Sequence, residues 1–156
     1  MSERLLRSAA FRFMRWKFGL TGADESTERA LEATLARTIG ETRTLDAAVV
    51  LAFDAVHDPQ GRLDEQNTHL YVTNDYVIEL CQRHPRMRFG ASVHPYRPDA
   101  VAEVERCIRA GAVLLKWLPI VQGFDPADER CIPLYDALAH HKLPLLSHTG
   151  GERSLP

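Results

Sequence analysis

The sequence lacks any apolar run of the roughly 18 residues that a membrane-spanning helix needs. Its first ten residues, MSERLLRSAA, carry charges where an export signal would have its apolar stretch. Its 19 basic and 21 acidic residues nearly cancel, so the composition gives no sign of a nucleic-acid partner. We therefore expect a cytoplasmic protein that binds neither a membrane nor nucleic acid.

Cysteine is also scarce, and three familiar active-site motifs are absent. Cys81, Cys107 and Cys131 form no C-x-x-C pair, which argues against a disulfide framework or a cysteine zinc site and favours reduced core thiols. The sequence contains no G-x-G-x-x-G, no G-K-[ST] and no G-x-S-x-G. These absences remove the usual signatures of a dinucleotide-binding domain, a P-loop and a serine-hydrolase elbow.

Short apolar runs alternate with amphipathic segments over most of the chain. The runs predict strands within 46–55, 87–95, 112–119 and 143–148, and the segments predict helices within 74–84, 97–111 and 133–141. Because repeated strand–helix–strand units form parallel sheets, we predict an α/β fold with about four parallel strands. The first run is continuous, which is typical of a strand covered on both faces. A doubly wound sheet and a (β/α)₈ barrel both fit this pattern.

Residues 1–44 form a helical segment in this interpretation. Apolar residues at helical spacing predict a helix over 2–18, and a second over 26–40 with Ser26 as its N-cap and Gly40 as its stop. The arginines of the first helix suit a packed helix with extended side chains, and a membrane-surface helix is the alternative. Asn74 is the predicted cap of the helix over 74–84.

Four titratable side chains fall at or near the ends of the four predicted strands: Asp54, His94, Lys116 and His148. The carboxyl ends of parallel strands form one rim, where ligands bind. A neutral imidazole at such a tip suits Zn²⁺ or a similar ion, so His148 is the strongest candidate ligand. The alternatives are structural: Asp54 would cap a turn, His94 would pack in a loop, and the stem of Lys116 would lie on Trp117. His57 is close enough to reach the rim, but we assign it to solvent.

The ordered set GASVHPYRP, KWLP, QGFDP and LPLLSHTGGE, together with LAFDAVHD and Asn74-Asp75-Tyr76, resembles the amidohydrolase superfamily. The likeness is to its amidohydrolase-2 type of TIM-barrel metal-dependent hydrolases, and it spans most of residues 45–153. The resemblance implies a partial (β/α)₈ TIM barrel with one or two divalent metal ions, zinc first among them, at its C-terminal rim. It also implies a small-molecule substrate, hydrolysed by a metal-activated water or, alternatively, decarboxylated with the help of the metal.

Site residues follow from the same resemblance. His148 corresponds to the fifth-strand metal ligand, and Lys116 lies on the fourth strand, where some members carry a carboxylated lysine that bridges two metals. Asp54 and His94 are candidates for the substrate pocket.

The sequence departs from the family pattern in its metal ligands and its length. It has no H-x-H, no first strand before residue 45, and it ends before the sixth-strand histidine and eighth-strand aspartate would occur. A complete barrel takes about 250 residues. We therefore expect an inserted helical segment over 1–44 and a partial barrel over 45–156. Such a piece should bind zinc weakly, lack turnover and self-associate through its exposed sheet edges.

Two other readings remain at this point. The chain could be a flavodoxin-like module that binds a small ligand without catalysis, or a non-catalytic partner that completes its barrel with another chain. Helices on both faces of the sheet would favour the flavodoxin-like module, and helices on one face would favour the barrel.

Overall fold

The computed structural model describes residues 25–151, with side chains described from residue 29 onward. The elements in chain order are α1 (Glu25–Glu41), β1 (Ala48–Leu51), α2 (Asn74–Arg83), β2 (Met87–Ala91), α3 (Ala100–Arg109), β3 (Leu114–Trp117), α4 (Pro119–Gln122), a 3₁₀ helix (Glu129–Cys131), α5 (Ile132–His141) and β4 (Leu145–Ser147). The helix predicted over 2–18 lies outside the described residues.

The four strands form one sheet in the order β1-β2-β3-β4, and every neighbouring pair is parallel. Each connection between successive strands carries at least one helix, so the chain repeats the strand–helix–strand unit three times. The predicted α/β class and the four parallel strands are confirmed. The order of strands and helices is that of a partial TIM-barrel-like fold.

The helices pack on one face of the sheet. Alternate strand residues, among them Phe89, Leu115 and Trp117, join residues of α2, α3 and α5 in the main core. A smaller cluster joins Ile39 of α1 to Met87 of β2, which has the same orientation as Phe89. This one-sided packing favours the barrel-type arrangement over the flavodoxin-like alternative.

The opposite face of the sheet is open, and it carries apolar side chains together with Arg88 and Lys116. Val49 of β1 is 43% exposed and Leu146 of β4 is 47% exposed. Gly90 lies between them in β2, where an added Cβ would come within 2.9 Å of a Val49 methyl and 2.6 Å of a Leu51 methyl. The side chains of β1 therefore close over this glycine. The expectation that β1 is covered on both faces is wrong for the described residues, because no element among them packs against this side.

Local sequence determines which side of α3 is buried and where the helix ends. Val104 and Cys107 are fully buried on one side of the helix, and Val101 and Ile108 pack against the same core, as the spacing predicted. Gly111 follows the helix with φ +89°, a conformation that favours glycine, and its N–H donates to the Ile108 carbonyl. The predicted stop at Gly111 is therefore confirmed.

Three predicted helix boundaries differ from the structure. Thr73, not Asn74, caps α2, because the Thr73 hydroxyl accepts from the Tyr76 N–H while Asn74 is the first helical residue and turns its amide elsewhere. Helix α1 includes Ser26 and extends one residue past Gly40, so neither residue marks its boundary. The cap of α2 and the end of α1 differ from the prediction by one or two residues, the usual range at helix ends.

The three cysteines are free thiols, with Cys107 and Cys131 buried. Burial raises the pKa of Cys107 to about 12 and that of Cys131 to about 11, which makes both thiols inert at neutral pH. None of the helices within residues 25–151 is long and apolar enough to cross a membrane.

The open face predicts self-association that a further charge among its apolar side chains should reduce. Leu146→Lys places a cation on this face, at a residue already 47% exposed, and we expect it to shift the chain toward monomer with little loss of stability. Ile132→Lys on α5 is the matched control, because Ile132 is 51% exposed but lies on the helical side. Sedimentation velocity measures the outcome, and equal association by both variants would contradict the prediction.

Candidate functional site

Ser92, the residue after β2, joins the carboxyl ends of three strands. Its hydroxyl accepts from the main-chain N–H of Asp54 at 3.1 Å and donates to the main-chain carbonyl of Lys116 at 3.0 Å. The residue is buried, so these bonds form away from water, where leaving either group unpaired would be costly. One side chain thus continues the sheet's hydrogen bonding beyond the last ladder pair on both sides of β2.

Asn74 continues the same junction into the helical layer. Its amide accepts from the Ser92 N–H and donates to the Ser92 carbonyl, both at 3.0 Å, as a neighbouring strand would. The same amide nitrogen donates to Glu103 of α3 at 2.7 Å. Burial raises the pKa of Glu103, but the hydrogen bonds from Arg106 and Asn74 outweigh this effect, and the net shift of the pKa is downward. The carboxylate therefore stays ionised as the acceptor of this bond.

Asp54 fixes the loop that follows β2. Its carboxylate accepts from the His94 N–H at 2.7 Å and the Ala55 N–H at 2.9 Å, and it forms an ion pair with Arg97 at 3.2 Å. The ion pairs of Arg97 with Asp99 and Asp54 raise the pKa of the guanidinium. Asp54 borders clefts of about 350 and 600 Å³, but its own oxygens already have several partners. Its structural role is therefore to anchor the rim.

His94 lies beneath the rim and is 0% exposed. Its Nδ1 accepts from the Tyr96 N–H at 3.1 Å, which makes Nε2 the protonated nitrogen, and Nε2 donates to the Gln122 carbonyl at 2.9 Å. Burial lowers the pKa of His94 to about 4, even though the Gln122 carbonyl favours the protonated ring. Both nitrogens are engaged by main chain, so the ring supports the pocket from behind.

His57 is the rim residue that the sequence interpretation assigned to solvent. Its ring packs against His94 with centroids 5.2 Å apart, and it borders two clefts of about 470 and 600 Å³. Its Nδ1 lies 3.2 Å from the Ala55 carbonyl, which can only accept, so Nδ1 carries a proton. The position of His57 three residues after Asp54 was the only signal in the sequence for this placement.

Lys116 and His148 occupy the open face of the sheet. Lys116 pairs in register with Leu146, and His148 follows two residues later, so alternation directs all three to one side. The His148 N–H donates to the Trp117 carbonyl at 3.0 Å, which continues the ladder to this residue. Because Trp117 faces the helical core, the stem of Lys116 does not lie on its indole. Burial lowers the pKa of the Lys116 amine.

The imidazole of His148 has an unusual hydrogen-bonding state. Its Nε2 is buried and has no hydrogen-bond partner, and it is the one such side-chain atom in the described part of the chain. Residues 25–151 contain no group of three or more His, Cys, Asp or Glu side chains arranged to hold a metal ion. The described residues therefore offer an unsatisfied imidazole nitrogen at the rim without a complete ligand set around it.

Removal of the Asn74 amide should destabilise the fold strongly. Asn74→Ala leaves a buried N–H and a buried carbonyl of Ser92 without partners, and we expect a loss of about 3 kcal/mol in the free energy of unfolding. Asn67→Ala, which removes an exposed amide bonded only within its own loop, is the control and should cost less than about 1 kcal/mol. Urea unfolding measures both, and equal losses would contradict the role assigned to Asn74.

The neutral His94 predicts a pH dependence of stability. Because its pKa is about 4 in the folded chain and about 6.5 when unfolded, its contribution is complete above pH 6.5 and is lost as the pH falls toward 4. We expect this loss to reach roughly 3 kcal/mol, and to be missing in His94→Asn, whose side chain does not titrate. Urea unfolding at several pH values gives the difference. Parallel pH profiles for the two proteins, or a His94 ring that titrates near 6.5 by NMR, would refute it.

Comparison with known proteins identifies the family to which these features belong. A protein-family model described as amidohydrolase matches residues 8–156, which include all four strands and the rim residues that follow them. None of the curated proteins compared with the chain matches it. Because the match covers nearly the whole sequence, the chain belongs to the amidohydrolase family.

Proposed function

We propose that this chain supplies part of the active centre of a metal-dependent hydrolase that acts on a small-molecule substrate. His148 is the metal ligand in this proposal, and zinc is the first choice of ion. The observation that carries the proposal is the buried Nε2 of His148, which has no hydrogen-bond partner. Membership of a family of hydrolase type supports the same reaction class.

A buried nitrogen without a partner costs free energy, and such atoms are rare in folded proteins. Coordination of a cation would satisfy the lone pair of Nε2, and imidazole is a common zinc ligand. The position of His148 immediately after β4 places it at the carboxyl end of a parallel sheet, where barrel enzymes bind their ligands. The nitrogen, its burial and its location therefore fit a metal ligand.

A divalent ion held there would supply Lewis-acid activation of water and of the substrate's carbonyl group. Lys116, on the adjacent strand and the same face, is the candidate for a second ligand. Catalytic zinc sites use three protein ligands, and the described residues contribute fewer. The chain by itself should therefore bind zinc weakly, through His148.

Nitrogen NMR of the imidazole rings tests this proposal directly. In a background of His140→Asn and His141→Asn, which removes two adjacent exposed imidazoles, we add zinc and follow every ring nitrogen. We expect the Nε2 signal of His148 to respond at the lowest zinc concentrations, and His148→Gln to abolish most of the remaining zinc binding. The reason is that Nε2 of His148 is a buried nitrogen that has no hydrogen-bond partner to compete with zinc.

The matched control is His94→Gln in the same background, because both nitrogens of His94 are already hydrogen-bonded and its loss should leave zinc binding unchanged. A His148 ring that stays unperturbed while other imidazoles saturate with zinc would overturn the proposal. Tight one-to-one binding by the chain would contradict the incomplete ligand set.

A further inference from the structure

We infer that the rim cleft beside His57 binds a substrate carrying an organic ammonium group on an apolar body. The inference deepens the proposed hydrolase function and rests on it, since the ligand of the cleft is taken to be the substrate. It depends on three properties of the cleft, which are its apolar wall, a hydrogen-bond acceptor and an uncompensated negative charge.

The cleft has a volume of about 470 Å³, enough for a small organic molecule. One wall comes from the segment after β3, where Ile120 is 63% exposed and Val121 lies beside it. The other comes from the segment after β1, which includes Val56 and His57. An exposed isoleucine at the mouth of a cleft offers apolar contact area to a ligand.

The imidazole of His57 supplies the acceptor. The Ala55 carbonyl selects the tautomer whose proton is on Nδ1, and in that tautomer Nε2 keeps its lone pair. The main-chain contacts of residues 56–58 with 62–64 hold the segment that carries it. Beneath it the buried ring of His94 packs against it, so the His57 ring has a fixed position from which to accept an N–H.

Asp64 supplies the charge. Its carboxylate accepts from the side chain and main chain of Asn67 and forms no ion pair with a described cation, whereas Asp58 in the same cleft is paired with Arg62. The hydrogen bonds from Asn67 lower the pKa of Asp64, so the carboxylate stays ionised at neutral pH. No lysine or arginine is found among the described residues that line the cleft. Its field therefore favours a cation.

The described cations of the neighbouring cleft are already paired and offer little to an anionic substrate. The neighbouring cleft of about 350 Å³ is lined by Arg97 and Arg106, but each guanidinium already forms ion pairs with two carboxylates. Binding an anion there would require one of these pairs to break. The distribution of paired and unpaired charges thus selects the ammonium over the carboxylate.

The test uses three probes of one shape and different charge, namely benzylammonium, benzyl alcohol and benzoate. Each is titrated into the full chain without metal while the ¹³C shifts of the isoleucine methyl groups are followed. We expect benzylammonium to shift Ile120 with an affinity about three- to tenfold above that of benzyl alcohol, and benzoate to bind least. Ile132, exposed on α5, should not move with any probe.

Variants of Asp64 and His57 separate the contribution of the charge from that of the hydrogen-bond acceptor, and Asp136→Asn is the control. Asp64→Asn should reduce the preference for benzylammonium over benzyl alcohol to near one, while Asp136→Asn on the exposed side of α5 should leave it unchanged. His57→Phe should weaken both probes, because both donate a hydrogen bond. Benzoate binding as tightly as benzylammonium, an Ile120 methyl that no probe moves, or an unaltered preference in Asp64→Asn would each overturn the inference. Since no zinc is present, these outcomes are independent of whether His148 binds a metal.

Discussion

Ser92 makes the hydrogen bonds on which the rest of the rim depends. The regular pairing of β2 with β1 ends at Gly90 and that with β3 ends at Ala91, and buried main-chain groups beyond these residues need other partners. The Ser92 hydroxyl joins the chain at Asp54 to the chain at Lys116, and its own N–H and carbonyl are taken by Asn74. Short polar side chains thus provide the hydrogen bonds of these main-chain groups where the ladder stops.

This junction explains how the chain presents two different surfaces at one end of the sheet. On one side, the hydrogen bonds of Asp54 and His94 hold the loops, and the His57 ring packs against His94 beside an open cleft. On the other, Lys116 and His148 lie on the open face, where His148 keeps a nitrogen unsatisfied. Buried groups whose hydrogen bonds are all satisfied make the rim rigid, and groups with an unsatisfied donor or acceptor remain available to bind a ligand.

The elements that periodicity governs could be predicted from the sequence, because strands and helices follow local apolar spacing. The tertiary partners could not. Thr73 and Asn74 are both good helix caps, and only the distant Ser92 draws the Asn74 amide away from the cap. The continuous apolar run of β1 predicts burial on both faces, yet Val49 is exposed. Burial on the second face requires another element to pack there, and none of the described elements does. His94 was expected to end a strand, but β2 ends at Ala91 and His94 lies three residues beyond it. Its ring nitrogens bond to the main chain of Tyr96 and Gln122, contacts that no local pattern encodes.

Native-state hydrogen exchange tests most directly whether side chains replace the ladder at the strand ends. The amides of Asp54 and Ser92, which donate to side chains, can be compared with those of Ala52 and Val113, which donate to main-chain carbonyls of β2. If the hydrogen bonds of Ser92 and Asn74 are as stable as those of the ladder, all four amides exchange with protection factors within about tenfold of one another. Rapid exchange of Asp54 and Ser92, with Ala52 and Val113 still protected, would show that the strand ends fray and would contradict the account.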